Sequence, residues 1–235
     1  MNDVDDTKLQ SLYHQIHTCS RCHTIPNGNI RFDPDKVQKK AFERLLKSEL
    51  LIIGQSLAQC QVRLTGVPFH FQNPSSVHKP EDAMSQGGKF LEPHLNEMGY
   101  TLSPCKSGYK LAYASDIVQC YPGRKPNGNG DNIPKKEEIE NCSAWLDEEL
   151  RLVEPKIVVL LGKIAAKYFF NKYLNWDIPQ KQDVWGQKYQ YASGGKQITV
   201  FALPHPAYKR RKPEWVSQIY KNVAEQIREI LAEKR

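Results

Sequence analysis

Four short apolar segments divide the chain, and each is rich in branched residues and ends near a Gly or Pro. They cover residues 49–54, 112–120, 156–162 and 198–204. Short runs of this kind are typical of strands that are buried on both faces, as in a parallel sheet. The hydrophobic pattern therefore predicts four mainly parallel strands.

Helical periodicity fills the intervals between these strands. It covers residues 88–98, 135–153, 163–173 and 214–233. Alternating strands and helices predict a three-layer α/β/α sandwich around the four-stranded sheet, with a functional cleft at the carboxyl ends of the strands. We expect one domain over residues 1–235, in which residues 1–48 form an N-terminal helical segment.

Short polar motifs follow the predicted strands, where the carboxyl ends of parallel strands meet. They are GQSLA at residue 54, CYPG at 120, GK at 162 and HPAYKRR at 205. A loop over residues 122–134, dense in Gly, Pro and Asn, is too long for a simple connection and is a further candidate for function. Asp116, inside the second strand, faces either solvent or a ligand of this cleft.

Composition limits the class of protein. The chain has 235 residues, of which 40% are hydrophobic, enough for a full core. Its N-terminus is acidic and polar, unlike a signal peptide, and no apolar run approaches the roughly 18 residues that a membrane span needs. We therefore expect a cytoplasmic protein that binds no membrane, and we expect a monomer.

The formal net charge of +7 is concentrated in short basic groups. These groups are residues 209–212, 124–125 and 135–136. Because each neutralised phosphate releases a counterion, such groups favour a polyphosphate partner. The alternative is that they are solvated loops without a partner.

Two pairs of cysteines suggest a metal centre. The six cysteines are Cys19, Cys22, Cys60, Cys105, Cys120 and Cys142. The first two form a CxxC motif, and the last two form a wider pair, whereas the middle two occur in unrelated contexts. In a cytosolic chain, four paired cysteines favour zinc or an iron-sulfur cluster over a disulfide framework. The alternative is a set of separate buried thiols.

Taken together, these motifs resemble the uracil-DNA glycosylase superfamily, specifically its iron-sulfur branches. The matching segments are CSRC at residue 19, IIGQSLAQCQVRLTGVPF at 52, DIVQC at 116, EEIENCSAWL at 137, VVLLGKIAA at 158 and LPHPA at 203. The resemblance implies an enzyme that binds DNA, flips a nucleotide out of the stack and hydrolyses its N-glycosidic bond, leaving an abasic site. It also implies a structural [4Fe-4S] cluster on Cys19, Cys22, Cys120 and Cys142, with zinc as the alternative.

The resemblance assigns roles to further residues. Phe69 matches the aromatic residue on which the flipped base stacks, and His205 matches the histidine that donates to O2 of the departing base. The alternatives are a core phenylalanine and a structural histidine. The loop that enters the duplex and holds phosphates in relatives corresponds to Tyr208, Lys209, Arg210 and Arg211.

Two residues depart from the pattern of uracil-specific relatives. Asp116 stands where those relatives have an Asn, and a carboxylate cannot donate to O4 of uracil but can accept from the N4 amino group of cytosine. Ala58 stands where a Tyr excludes C5 substituents, so it opens space there. Together they predict a C5-modified cytosine as substrate, such as the hydroxymethylated or glucosylated cytosine of phage DNA. Because excision of plain cytosine would destroy the host genome, we expect a role in defence against phages.

The turn after the first strand lacks the carboxylates that activate water in several branches. Ser56 and Gln55 occupy the matching positions. We expect Gln55 to position a water molecule and Ser56 to line the base pocket, since the oxocarbenium-like transition state depends more on charge stabilisation than on a strong nucleophile. The alternatives are a conventional uracil-DNA glycosylase of base excision repair and a non-catalytic DNA-binding relative.

Overall fold

A computed structural model describes residues 3–22, 45–46, 48–58, 69, 84–103, 106–128, 130–178 and 183–233, with side chains from residue 8 onward. Cys60, Cys105 and residues 66–68 of the GVPF motif lie outside the described residues. No helix in the described ranges is long and apolar enough to cross a membrane.

A five-stranded sheet lies at the centre of the described residues, in the order β4-β1-β5-β7-β6. The strands are β1 Leu50–Ser56, β2 Tyr100–Thr101, β3 Lys110–Leu111, β4 Tyr113–Val118, β5 Ile157–Leu161, β6 Lys188–Ser193 and β7 Lys196–Leu203, of which β2 and β3 form a separate pair. The pairs β1–β4, β1–β5 and β5–β7 are parallel. All four predicted strands are therefore present, with their carboxyl ends at one edge.

The prediction of four strands was one strand short. Strand β6 runs antiparallel to β7 and is joined to it by the turn at Gly194 and Gly195. Its residues alternate between exposed and half-buried positions, because it is an edge strand covered on one face. It therefore lacks the continuous apolar run by which the other strands were predicted.

Helices cover both faces of the sheet, which confirms the three-layer arrangement. They are α1 Asp3–Thr18, α2 Gln86–Glu97, α3 Lys136–Val153, α4 Lys163–Leu174 and α5 Pro213–Ala232, with a 3-10 helix at Pro206–Arg210. Buried residues of α1, α3 and α4 form one core with the sheet, and those of α2 and α5 form another on the opposite face. The sheet is thus shielded from water except at its edges, as parallel strands require.

Candidate active site

The Asp116 side chain lies at the carboxyl end of β4, against the backbone of β1. Asp116 pairs with Gly54 in the parallel register and is only 4% exposed. A Cβ atom added to Gly54 would lie 2.2 Å from Asp116 Oδ1, so a larger residue would displace the carboxyl group. Gly54 therefore lets the carboxyl group occupy the space above it.

The environment of Asp116 favours its neutral form. Burial raises the pKa of the Asp116 carboxyl well above its usual value, and the negative charge of Glu149 raises it further. In the part of the chain that the structure describes, no group donates a hydrogen bond to this carboxyl and no cation pairs with it. The sequence predicted an ionised carboxylate at Asp116, whereas the structure favours a carboxylic acid with one donor and one acceptor.

The end of β1 provides the other polar groups of this edge. Gln55 and Ser56 are half-buried, and Ser56 pairs with Val118 of β4. Ala58 is also half-buried, two residues beyond the end of the strand. These three residues therefore follow directly from Gly54 along the same edge as Asp116.

Phe69 has an unusual backbone. Its φ is 68°, in the left-handed region that bulky residues rarely adopt, and the residue is 7% exposed. Its carbonyl oxygen accepts from the Ser85 backbone N–H at 2.7 Å and would lie 2.6 Å from a Cβ atom at Gly88. The N-terminus of α2 thus holds Phe69 in place through a glycine that permits close approach. Such strain is common at ligand sites.

His205 is held as a neutral hydrogen-bond donor. The Ala207 backbone N–H donates to His205 Nδ1 at 3.2 Å, so Nδ1 is the acceptor and the ring proton lies on Nε2. Partial burial of the ring lowers its pKa below the usual value, although part of the residue is exposed. Gly162, with φ of 90°, follows β5 and would place a Cβ atom 3.1 Å from His205 Cβ. His205 can therefore donate from Nε2 without carrying a charge.

Gly87, in the first turn of α2, lies between Phe69 and the turn that follows His205. A Cβ atom at Gly87 would lie 3.7 Å from Phe69 Cδ1 and 4.0 Å from Pro206 Cβ. The 3-10 helix that follows and the residue that ends it expose one aromatic and three basic side chains: Tyr208, Lys209, Arg210 and Arg211. The structure thus places an exposed basic segment directly after the candidate catalytic histidine.

The four paired cysteines belong to one side of the molecule. Cys120 and Cys142 are buried, and Cys19 and Cys22 are half-buried against the same core. Burial raises the pKa of the Cys142 thiol, the other three thiols raise it further, and the Cys22 thiol forms a hydrogen bond with Cys142. The loop of Cys19 and Cys22 is held to α3, since Asn141 Nδ2 donates to the Arg21 carbonyl at 3.1 Å. Among the described residues, no group of three or more His, Cys, Asp or Glu is arranged to hold a metal ion.

The sequence analysis missed Glu149 and Gln119, which lie behind Asp116. Glu149, on α3, is 1% exposed and Gln119 is 4% exposed. One signal was available, because Glu149 falls on the apolar face of its helix, between Leu146 and Leu150 and Val153. An acid on such a face needs a buried partner.

Comparison with known proteins identifies the class. A sequence model of the Uracil DNA glycosylase superfamily matches residues 42–229. The chain belongs to this superfamily and is a DNA glycosylase, as its motifs predicted.

Curated relatives match nearly the whole chain. It is 28% identical over 227 residues to the Type-4 uracil-DNA glycosylase of Archaeoglobus fulgidus, and the match covers 97% of this chain and 95% of the relative. It is 33% identical over 223 residues to the Type-4 uracil-DNA glycosylase of Sulfurisphaera tokodaii, and the match covers 94% of this chain and 84% of the relative. A Type-5 uracil-DNA glycosylase of Pyrobaculum aerophilum is 41% identical over 56 residues, 24% of this chain and 22% of the relative.

Proposed function

We propose that this DNA glycosylase excises a flipped-out cytosine that carries a hydroxymethyl or glucosyl-hydroxymethyl group at C5, and that it acts in defence against phages. The observation that carries the proposal is the buried carboxyl of Asp116, held against Gly54 at the end of β4. A side chain there faces the edge at which a base would be distinguished.

A neutral Asp116 matches the cytosine edge with two hydrogen bonds. Its O–H donates to the ring nitrogen N3, and its carbonyl oxygen accepts from the N4 amino group. The same acid also fits uracil, accepting from N3–H and donating to O4. Cytosine is favoured because its N3 is far more basic than the carbonyl oxygen O4 of uracil, so the hydrogen bond from an acid is stronger.

Two considerations favour a substituent at C5: the small side chain of Ala58 and the need to spare the host genome. Ala58 leaves room where a larger side chain would exclude a substituent, because its side chain is a single methyl group. An enzyme that excised unmodified cytosine would attack its own genome. A modification that the host lacks, as in phage DNA, removes that conflict.

The remaining site residues complete the reaction scheme. Phe69 stacks on the flipped base, and His205 Nε2–H donates to O2 as negative charge develops there. Gln55 positions the attacking water, and Ser56 lines the pocket. The basic segment of residues 208–211 binds phosphates next to the extruded nucleotide, since each neutralised phosphate adds sequence-independent affinity.

We also infer that Cys19, Cys22, Cys120 and Cys142 bind a [4Fe-4S] cluster. The donor set supports it, because the four thiols share one core and the other three raise the pKa of the Cys142 thiol. A cluster binds each thiolate through a different iron atom, so its ligands need not converge on one ion as they do around zinc. When bound, the cluster would link the segment after α1 to α3 and leave the chemistry to the residues at the sheet edge.

The proposal is tested by incubating the protein with matched duplex and single-stranded oligonucleotides that contain cytosine, 5-hydroxymethylcytosine, its glucosylated form or uracil. Abasic sites are scored by strand scission after alkali. We expect cleavage at a modified cytosine and none at plain cytosine. Rapid cleavage at uracil with none at any cytosine would contradict the proposal.

A second candidate is a uracil-DNA glycosylase of base excision repair. The names of the Type-4 relatives favour it, because they match nearly the whole chain. The uracil arm of the same assay decides between the two functions.

A further inference from the structure

A second buried carboxyl lies behind Asp116. Successive side chains of a strand point to opposite faces, so Ser115 and Asp116 lie on opposite faces of β4, and Ser115 faces Glu149 of α3. We propose that Asp116 is the general acid that protonates N3 of the departing cytosine, and that Glu149 is the positioning residue that keeps the proton on Asp116. The first part rests on the cytosine substrate proposed above.

Among the described residues, Glu149 is bound only by neutral donors. Tyr113 OH donates to Glu149 Oε1 at 2.9 Å, and Ser115 Oγ donates to Oε2 at 2.5 Å. Tyr13 of α1 extends this network, since its hydroxyl donates to Tyr113 OH at 2.5 Å. Because no described cation faces Glu149, its negative charge is not neutralised, and it makes a second negative charge on Asp116 costly.

Gln119 connects the two acids mechanically. Its Nε2 donates to the Asp116 backbone oxygen at 2.9 Å, to Ser115 Oγ at 2.8 Å and to Glu149 Oε2 at 3.3 Å. The amide therefore fixes the end of β4 relative to α3. A displacement of Glu149 would reach Asp116 through this side chain and through the backbone.

The titratable groups around the pair are few. The facing groups are Tyr13 from α1, Tyr113 and Asp116 from β4, and Glu149 itself from α3. Strand β1 contributes Gly54 beside Asp116. Helix α4 contributes apolar residues to this core: Ala165, Ala166, Phe169 and Phe170. The described surroundings thus contain two carboxyls that interact, two phenols and no positive charge.

The proposed step conserves atoms and charge. The C1′–N1 bond breaks and its electron pair moves into the base ring, while the Asp116 O–H proton goes to N3. The base leaves as a neutral molecule, and Asp116 remains as a carboxylate. The water oxygen bonds to C1′, and the proton that this water loses returns to Asp116 through solvent after the base has left. Uracil cannot follow this route, because its N3 already carries a hydrogen.

The direction of the pH dependence follows from the pKa values. Burial raises the pKa of Glu149 to about 7, and burial together with Glu149 raises that of Asp116. An acid that must be neutral is active below its pKa, so the rate falls as pH rises through it. Removing the charge of Glu149 lowers the pKa of Asp116, so the falling limb moves to lower pH. The two acids titrate as a pair, and the profile gives values for the pair.

The test is the pH profile of single-turnover excision at a glucosylated cytosine for wild type, Glu149→Gln and Glu148→Gln. Glu148 is the neighbouring acid, half-buried and bound to Arg151, and serves as the matched control. We expect the falling limb of the Glu149→Gln profile to move to lower pH by about one unit, with a rate equal to that of wild type at low pH. The falling limb of the Glu148→Gln profile should coincide with that of wild type. A rate reduced equally at all pH values, with a lower melting temperature, would mean a purely structural role.

The wild-type profile tests the idea even if Glu149→Gln fails to fold. A profile without a falling limb, or one unchanged in Asp116→Asn, would overturn the general-acid role while the cytosine function stands. If wild type excises only uracil, the cytosine function and the transfer to N3 fail together. In that case the pH profile of uracil excision tests the positioning role of Glu149. A falling limb that moves in Glu149→Gln supports this role, and one that does not move overturns it.

Discussion

Replacing Gly54 by alanine should displace the Asp116 carboxyl with little effect on the fold. The added methyl would lie 2.2 Å from Asp116 Oδ1, whereas real contacts of a Cβ atom are essentially never shorter than 3.0 Å. The oxygen must therefore move by at least 0.8 Å, the difference between these distances. Because it is the end of a side chain, rotation of Asp116 can supply this movement at a cost of about 0.5–1.5 kcal/mol.

The effect on catalysis should be larger than the effect on stability. A displacement of about 1 Å at a reacting group can reduce the rate by roughly 10²-fold. The assay is single-turnover excision together with thermal unfolding. Gly87→Ala is the matched control, because a methyl there would have ordinary contacts, the nearest at 3.7 Å. In an Asp116→Ala background, Gly54→Ala should cost nothing further, because the group with which it collides is gone.

One result would refute this reasoning. If Gly54→Ala folds and excises its base at the wild-type rate, the carboxyl is not held where the base must be recognised. A large loss of stability that persists in the Asp116→Ala background would instead show that the methyl collides with the strand itself.

Three further predictions concern the other parts of the site. His205→Ala should bind DNA normally and lose about 10²- to 10³-fold in excision rate, because its Nε2–H acts as the base leaves; near-normal single-turnover kinetics would contradict this. Replacing Lys209, Arg210 and Arg211 by glutamine should weaken binding to all DNA sequences and flatten its salt dependence, with the slope of log K against log salt concentration falling by about 0.9 per lost phosphate contact. The control Lys221→Gln, on the exposed face of α5, should change neither the affinity nor the slope. A Cys120→Ala, Cys142→Ala variant should lose its iron and the absorbance near about 400 nm, and full retention of iron would exclude these ligands.

The sequence was informative where burial is continuous. Strand β5 is apolar and buried at every position, and β1 is so from Leu50 to Ile53, so their short continuous apolar runs predicted them. Strand β6 escaped because one of its faces is exposed, so its apolar positions are interrupted. The edge at which the site residues collect followed from the parallel order of the strands.

The chemistry of the site depended on contacts that the sequence does not contain. Asp116 was recognised as unusual, yet its protonation state is set by burial and by Glu149, which is 33 positions away in the chain (149 − 116). The role of Gly54 likewise depends on the register between β1 and β4. Both are tertiary effects, so spacing along the chain could not reveal them.

The most direct test of the central claim is the base preference of Asp116→Asn. Single-turnover excision by wild type and by the variant is measured on matched oligonucleotides bearing uracil, cytosine, 5-hydroxymethylcytosine and its glucosylated form. The amide can hydrogen-bond to the edges of both bases, as the neutral acid can, but it cannot transfer a proton to N3 of a departing cytosine, a transfer that uracil does not need. We predict that the variant loses activity on modified cytosine but not on uracil, so that its preference shifts towards uracil. Wild type that excises uracil fastest, with no change of preference in Asp116→Asn, would contradict the account.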